Sequence, residues 1–464
     1  MTGTKKSKEN IKLKFQEMQK SRRAFIKKTA MGTIGFMLGG ITNNFSAKSY
    51  SKIIGANERI NLAILGLGRR LSAYYEPIGM KENNVEIIYF CDVMKKQREA
   101  AVGKFAKYIS YTPKLENDFR NVFADKQVDA FINATPDHWH TPGAIMGVQA
   151  GKHVYVEKPC SHNPREGELL IEAEKKYGKI IQMGNQQRSA VESIEIIKQI
   201  HNGVIGTAYK ALAFYSNDRG ECPTPKPAPI PEGLDWELYQ GPAPRVPYTH
   251  DTWDYNWHWY GWNYGTAESG NNATHELDVA RWALQGEFPE FVSVEGAKRH
   301  FANDGWEMYD TMDATFRFPG NKIIKWDGKS RSGYKTYGSS RGTIIYGTNG
   351  SVYIDRDGYK LYDRVGKLVK EQKAAVSEGA TNLGGGGGMT TMHVVNFFDA
   401  IRGKAKQVAP ITEGVKSTLL SHLINIAYRT QKDLKINPEN GHILDKDAMK
   451  LWSRAYEKGW EIKM

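Results

Sequence analysis

Cysteine is scarce in this chain: Cys91, Cys160 and Cys222 are all that 464 residues contain. An odd, dispersed trio excludes a disulfide framework and has no metal-cluster spacing, so neither a disulfide nor a bound metal is expected. Long apolar runs are lacking too. The apolar stretch Thr29 to Ile41 would cover roughly 20 Å as a helix against the roughly 30 Å of a bilayer core, which argues against a stable membrane anchor. No internal repeat is present. An excess of basic charge is lacking over most of the chain: the formal net charge is +13, yet residues 1–49 hold eleven basic side chains against Glu9 and Glu17, nine of that total. The near-neutral remainder has no basic stripe, which excludes nucleic acid as a partner. With 40% hydrophobic and 25% charged residues, and too long for one ordinary core, the chain is expected to be globular with two domains.

The first fifty residues have a different character. Ser21-Arg22-Arg23-Ala24-Phe25-Ile26-Lys27 precedes the apolar stretch, whose length suits a signal-peptide core. The pair of arginines with Phe25 resembles the twin-arginine export signal, which carries folded proteins across the bacterial inner membrane. The resemblance implies that residues 1–49 engage the twin-arginine export machinery, that cleavage follows Ser49 with Ala47 as the other small residue, and that the protein is periplasmic. A basic amphipathic helix is the alternative.

From Ile60 the pattern becomes that of a nucleotide-binding sheet. The strand-length run Ile60 to Leu65 ends in Gly66-Leu67-Gly68, where one glycine permits a tight turn and the next lets backbone amides approach a pyrophosphate. The third glycine of the usual fingerprint is absent, with Leu71 in its place. A second apolar strand, Val85 to Cys91, ends in Asp92, whose carboxylate can bind both adenosine ribose hydroxyls and repel a 2′-phosphate, favouring NAD over NADP. Strands at Val128–Asn133, His153–Val156 and Ile180–Met183 alternate with helices at Pro142–Ala150 and Arg165–Tyr177. Such alternation predicts an α/β, doubly wound parallel sheet, a Rossmann domain over residues 52–186. Ligands lie at the carboxyl ends of these strands. The cofactor contacts expected there are Gly66, Gly68, Arg69, Arg70, Asp92, Thr135, Pro136, His138, Trp139, His140, Glu157, Lys158 and Gln186.

Glu157-Lys158-Pro159 after such a strand, with Thr135-Pro136-Asp137-His138-Trp139-His140 before it, resembles the glucose–fructose oxidoreductase/inositol dehydrogenase (Gfo/Idh/MocA) family. The resemblance implies a second, α+β domain over residues 187–464, built on a large, open, mostly antiparallel sheet that completes a sugar site. It also implies a homo-oligomer paired through that sheet. Lys158 matches the lysine at the family's reacting centre. Of the family's Asp-x-x-x-His pair, His275 is retained while Asn271 stands at the Asp position.

The chemistry implied is hydride transfer between a tightly bound nicotinamide cofactor and a secondary hydroxyl of a sugar. His275 accepts the hydroxyl proton, Lys158 stabilises the alkoxide, and Asn271 orients the imidazole or binds a sugar hydroxyl. Asp278 is a candidate orienter of His275 or an ion-pair partner of Arg281. After a proline-rich loop at Cys222 to Pro229, the segment Trp253 to Trp262 interleaves aromatics with Asp, Asn and His, which suits pyranose faces and hydroxyls. Arg188, His258 and Tyr260 are the substrate contacts expected, beside Asn271 and His275. The near-neutral remainder of the chain suggests uncharged sugars. Gly384 to Gly388 reads as a mobile loop before a helix at Met389–Arg402. Two alternatives stay open: glycoside cleavage through a transient keto-sugar, and a non-catalytic sugar-binding homologue.

Overall fold

Short runs of branched apolar residues become the buried strands of a parallel sheet in the computed structural model, which describes residues 58–374 and 388–464. The export segment and most of the Gly384–Gly388 run lie outside the described residues. β1 (Ile60–Leu65), β2 (Val85–Cys91), β3 (Lys114–Glu116), β4 (Ala130–Asn133), β5 (His153–Val156) and β6 (Ile181–Met183) assemble in the order β3-β2-β1-β4-β5-β6. All neighbours run parallel. The order reverses between β1 and β4, which opens a crevice at their carboxyl ends. Ile60, Leu62, Ala63, Ile64 and Leu65 are all buried, so β1 is covered on both faces as a central parallel strand requires.

Crossover helices cover this sheet. α1 (Lys95–Phe105) follows β2, α2 (Asp137–Gln149) follows β4 and α3 (Pro164–Tyr177) follows β5. Local chemistry sets the limits of α3: Asn163 caps its amino end by accepting the Glu166 amide at 3.1 Å, Pro164 occupies the first turn, and Gly178 ends it at φ +61°. α2 starts at Asp137, five residues before the start expected at Pro142. Pro142 lies inside the helix, and the carbonyl it leaves without an amide partner, that of His138, accepts a hydrogen bond from Arg454 Nη2 at 2.7 Å.

α4 (Val191–His201) leads into the second sheet. Its strands are β7 (Ala208–Asp218), β8 (Phe291–Ala297), β9 (Thr311–Phe318), β10 (Lys322–Lys329), β11 (Arg331–Ser332), β12 (Arg341–Gly347), β13 (Gly350–Asp355), β14 (Gly358–Asp363), β15 (Leu368–Lys373) and β16 (Leu434–Lys435). They run β15-β14-β13-β12-β7-β10-β9-β8-β16, with β11 paired to β7. Only β7 and β10 pair in parallel; this is the mostly antiparallel sheet expected. Met312, Ala314, Phe316, Ile324, Trp326, Ala211, Ala213 and Ile345 point to one face. There they share a core with Leu277 and Ala280 of α5 (Thr274–Leu284) and Leu420, Leu423 and Ile424 of α7 (Ile411–Thr430). Between α5 and α7 in sequence, α6 (Met389–Ile401) returns to the first sheet, packing Val394, Phe397 and Phe398 with Ile60, Leu62 and Ile64. The three cysteines are free and buried. Among the described residues no helix is long and apolar enough to cross a membrane.

Candidate active site

The turn after β1 is shaped by steric exclusion. Gly66 has φ +83°, and a Cβ there would come within 2.4 Å of the Ala134 carbonyl oxygen, so only glycine fits. The Asp92 carboxylate holds the turn, with Oδ2 accepting the Leu67 amide at 2.7 Å and Oδ1 the Met94 amide at 2.8 Å. Burial raises its pKa while those two amides oppose the shift. Arg69 lies over the Tyr255 ring at 4.4 Å. Arg70 Nε and the Tyr74 hydroxyl each donate to Glu157 Oε1 at 2.9 Å, and Gln186 Nε2 reaches the same oxygen at 3.2 Å. Burial penalises that carboxylate, yet the charges of Arg70 and Lys158 hold it below the usual range.

Around Lys158 the two sheets meet. Its Nζ donates to the Asn271 backbone oxygen at 2.6 Å and lies 3.3 Å from Asn271 Oδ1. Asn271 is in reach because Ser269 to Ala273 form a π-turn running into α5. Gly270 permits it, since a Cβ would lie 1.8 Å from Thr266 Oγ1 and 3.2 Å from Pro159. Asn271 Nδ2 in turn donates to Glu268 Oε1 at 3.2 Å, and Arg219 Nε to Glu268 Oε2 at 3.2 Å. Thus Asn271 positions Lys158 and does not orient the imidazole. Burial pushes Lys158 below its ordinary value, opposed first by Asp137 and then by Glu157. Asp137, raised by burial, accepts the Thr266 hydroxyl at 2.6 Å.

His275 lines the same cleft, and no protein group among the described residues hydrogen-bonds its ring. Burial, followed by the charges of Arg356 and Lys158, holds it well below the ordinary imidazole value. Its imidazole is therefore held neutral. His258 stacks on Trp257 at 3.5 Å, bonds the Tyr255 carbonyl through Nδ1 at 2.7 Å, and is lowered by burial. Thr135, Pro136, Trp139, His140 and Gln186 also line the cleft, which encloses about 530 Å³. His140 is fixed between the Pro159 carbonyl at 2.6 Å and the Thr135 carbonyl at 2.8 Å.

This arrangement coincides with two matched family models. Residues 60–185 match the oxidoreductase family with the NAD-binding Rossmann fold, and residues 194–353 match the GFO/IDH/MocA C-terminal domain. The chain belongs to the Gfo/Idh/MocA family. It is 29% identical over 220 residues to a glycosyl hydrolase family 109 protein of Saccharopolyspora erythraea, covering 43% of this chain and 47% of that protein. It is 28% identical over 148 residues to inositol 2-dehydrogenase of Salmonella typhimurium, covering 32% and 43%. The chain spans less than half the length of the curated relatives it matches. The aldose–aldose oxidoreductase of Caulobacter crescentus, solved with glycerol, has the same fold. Its TM-score is 0.61 at 18% identity, covering 82% of this chain and 100% of that one.

The Gfo/Idh/MocA dinucleotide fits the residues present. A Cβ on Gly68 would meet no atom within 4 Å, so the turn leaves an open cradle of backbone beside Asp92 and Arg69. Gly66, Gly68, Arg69, Asp92 and Thr135 would hold the dinucleotide there, and Glu157 acts through Arg70.

Four expectations need correction. Arg188 does not line the cleft: its Nε and Nη2 grip the Asp278 carboxylate, both at 2.8 Å, in a buried pair. Asp278 consequently neither orients His275 nor pairs with Arg281, which binds Glu413 instead. Tyr260 donates its hydroxyl to the Pro223 carbonyl at 2.9 Å, away from the cleft lining. His138 is fully buried behind the wall, bonded through Nε2 to the Tyr239 carbonyl at 2.8 Å and lowered by burial to about 3.

Sequence reading missed Arg219, Glu268, Arg341, Glu276 and Arg356. Arg341 binds Glu276 through both Nε (2.7 Å) and Nη2 (2.9 Å). Glu276, adjacent to His275, was the one available signal for that pair.

Proposed function

We propose that the protein transfers hydride between a retained nicotinamide cofactor and a secondary hydroxyl of a sugar. The observation that carries this reading is Lys158, held by Asn271 beside the neutral His275 at the carboxyl ends of a dinucleotide-binding sheet. When bound, nicotinamide supplies the hydride acceptor. His275 takes the hydroxyl proton, and the Lys158 ammonium stabilises the oxygen as negative charge develops. Burial disfavours that ammonium, and Asp137, the first of the charges acting on Lys158, opposes the shift. Trp253, Tyr255 and Trp257 give the cleft an aromatic wall that suits a pyranose, and His258 a polar edge. The Asp92 carboxylate supports NAD over NADP, because a 2′-phosphate would meet like charge.

The family 109 relative supports a second use of the same site, in which a glycoside is oxidised transiently, cleaved and re-reduced. Incubating holoenzyme with a panel of sugars and glycosides tests both. A keto-sugar with reduced cofactor supports net oxidation, whereas released aglycone with unchanged cofactor supports cleavage. No reaction on any member contradicts both.

Location belongs to the same proposal. The Arg22-Arg23 motif supports twin-arginine export of a protein folded around its cofactor, and a periplasmic enzyme would need that cofactor to stay bound between turnovers. A reporter fused to residues 1–49 should stop being exported when both arginines become lysine. Copies would pair through the face of the second sheet opposite the core, where Thr315, Lys325 and Leu212 form a cross-strand row. Sedimentation of purified protein checks this: a monomer would remove it.

A further inference from the structure

Three arginines of the cleft wall have a carboxylate of their own: Arg70 has Glu157, Arg219 has Glu268 and Arg341 has Glu276. Arg356 has none. Among the described residues no acceptor lies within hydrogen-bond or ion-pair distance of its guanidinium, although it lines the same cleft. It stands at the corner of a tight hairpin, where Asp355 of β13 pairs with Gly358 of β14 and only Arg356 and Asp357 make the turn. The corner is fixed. Gln187 Nε2 donates to the Asp355 carbonyl at 3.0 Å, and the Asp355 carboxylate is occupied by the Tyr353 hydroxyl at 2.6 Å and the Asp357 amide at 2.8 Å.

Its neighbours make the cation costly. Burial depresses its pKa, and the like charges of Arg341 and Arg70 add to that against Glu276. A partly desolvated guanidinium with no ion-pair partner in reach lacks the pairing that buried charge demands. Arg69 also lacks a carboxylate, but it follows Gly68 and stacks on Tyr255, on the dinucleotide side of the cleft. Arg356 comes from the opposite sheet and lines the same cleft as Lys158 and His275.

We propose that Arg356 receives a carboxylate carried by the substrate, so that the site takes a sugar acid of the uronate type. The inference rests on the oxidoreductase reading above and narrows its substrate class. It replaces the uncharged sugar suggested by the near-neutral chain, because net charge averages over a whole surface while one guanidinium decides a subsite. A planar guanidinium and a carboxylate match in two parallel hydrogen bonds, which a hydroxymethyl group cannot make.

The test uses purified holoenzyme with methyl β-D-glucopyranosiduronate and methyl β-D-glucopyranoside. Both cofactor reduction and ligand-induced melting shift are read, in wild type, Arg356→Gln and Arg356→Lys. Wild type should prefer the uronate by roughly 10- to 100-fold in kcat/KM, the usual value of a charge-assisted bond. Arg356→Gln should erase at least tenfold of that ratio, chiefly through KM, and Arg356→Lys should restore part of it. The uronate should raise the melting temperature of wild type more than that of Arg356→Gln. Equal use of the two glycosides, or a ratio unchanged in Arg356→Gln, overturns the proposal while leaving oxidoreduction intact. A uronate-specific melting shift without cofactor reduction supports Arg356 as the carboxylate site and counts against oxidoreduction. No uronate-specific shift and no preference in rate overturns the Arg356 assignment.

Discussion

His275 is kept neutral by its surroundings, since burial and the cations Arg356 and Lys158 disfavour its protonated form. An imidazole has an ordinary pKa of about 6.5, and a base must be neutral to act. The kcat/KM of the wild-type enzyme should therefore stay flat as pH falls through that value and drop only below it. A half-fall at about 6.5 would show an unperturbed ring. Lys158→Ala should cost roughly 100- to 1,000-fold in kcat, the usual loss of a group that stabilises developing negative charge. Steady-state rates with saturating sugar check it, and turnover within a few-fold of wild type would remove Lys158 from the reacting centre. The two glycines of the β1 turn separate strain from ligand space. Gly66→Ala forces a side chain into φ +83° against the Ala134 carbonyl and should destabilise the fold by at least about 1–3 kcal/mol. Gly68→Ala meets no neighbour, so apo melting should match wild type while dinucleotide affinity falls, as calorimetric titration would show.

At the scale of elements, one network joins parts of the chain far apart in sequence. Arg188, just after β6, grips Asp278 of α5, which also accepts the Ser417 hydroxyl of α7 at 2.5 Å. Because both side chains of the pair are buried, Asp278→Ala leaves the Arg188 guanidinium with only its longer 3.6 Å pair to Glu413 and should cost up to about 3–5 kcal/mol. Urea unfolding measures this, and a loss under about 1 kcal/mol would place the pair among weak surface contacts. This network also shows why part of the site was not legible. Gly66, Lys158 and His275 sit in local patterns that a strand, a turn or a motif announces. Arg188 stood in such a pattern too, but its partner lies 90 residues away, so burial could not be read. Arg219, Arg341 and Arg356 come from the end of β7, from β12 and from the β13–β14 corner. Only the order of strands in the second sheet brings them together.

In the molecule as a whole, buried neutral histidines couple stability to pH. Burial depresses His138 and His422 to about 3 and His393 to about 4. Unfolded, each would titrate at about 6.5, so the unfolded state binds more protons between these limits and stability rises with pH there. The stabilisation is present above that unfolded value and is lost as pH falls toward the folded values. Melting temperature should fall between about pH 6.5 and 4, with a shallower slope in His393→Gln; a flat profile would contradict the burial of these rings. The parallel sheet was legible because alternating strands and helices repeat locally. The return of α6 onto that sheet was not, since Val394 and Phe397 join Leu62 in one core only after every strand of the second sheet but β16 has intervened in the chain. The central claim is that Lys158 and His275 act on a sugar hydroxyl beside a bound nicotinamide. The absorbance of purified holoenzyme tests it most directly when a sugar panel is added. The account predicts growth of the reduced-nicotinamide band in wild type and its loss in both Lys158→Ala and His275→Ala; a wild-type protein that binds no dinucleotide, or variants that reduce it as fast as wild type, would contradict it.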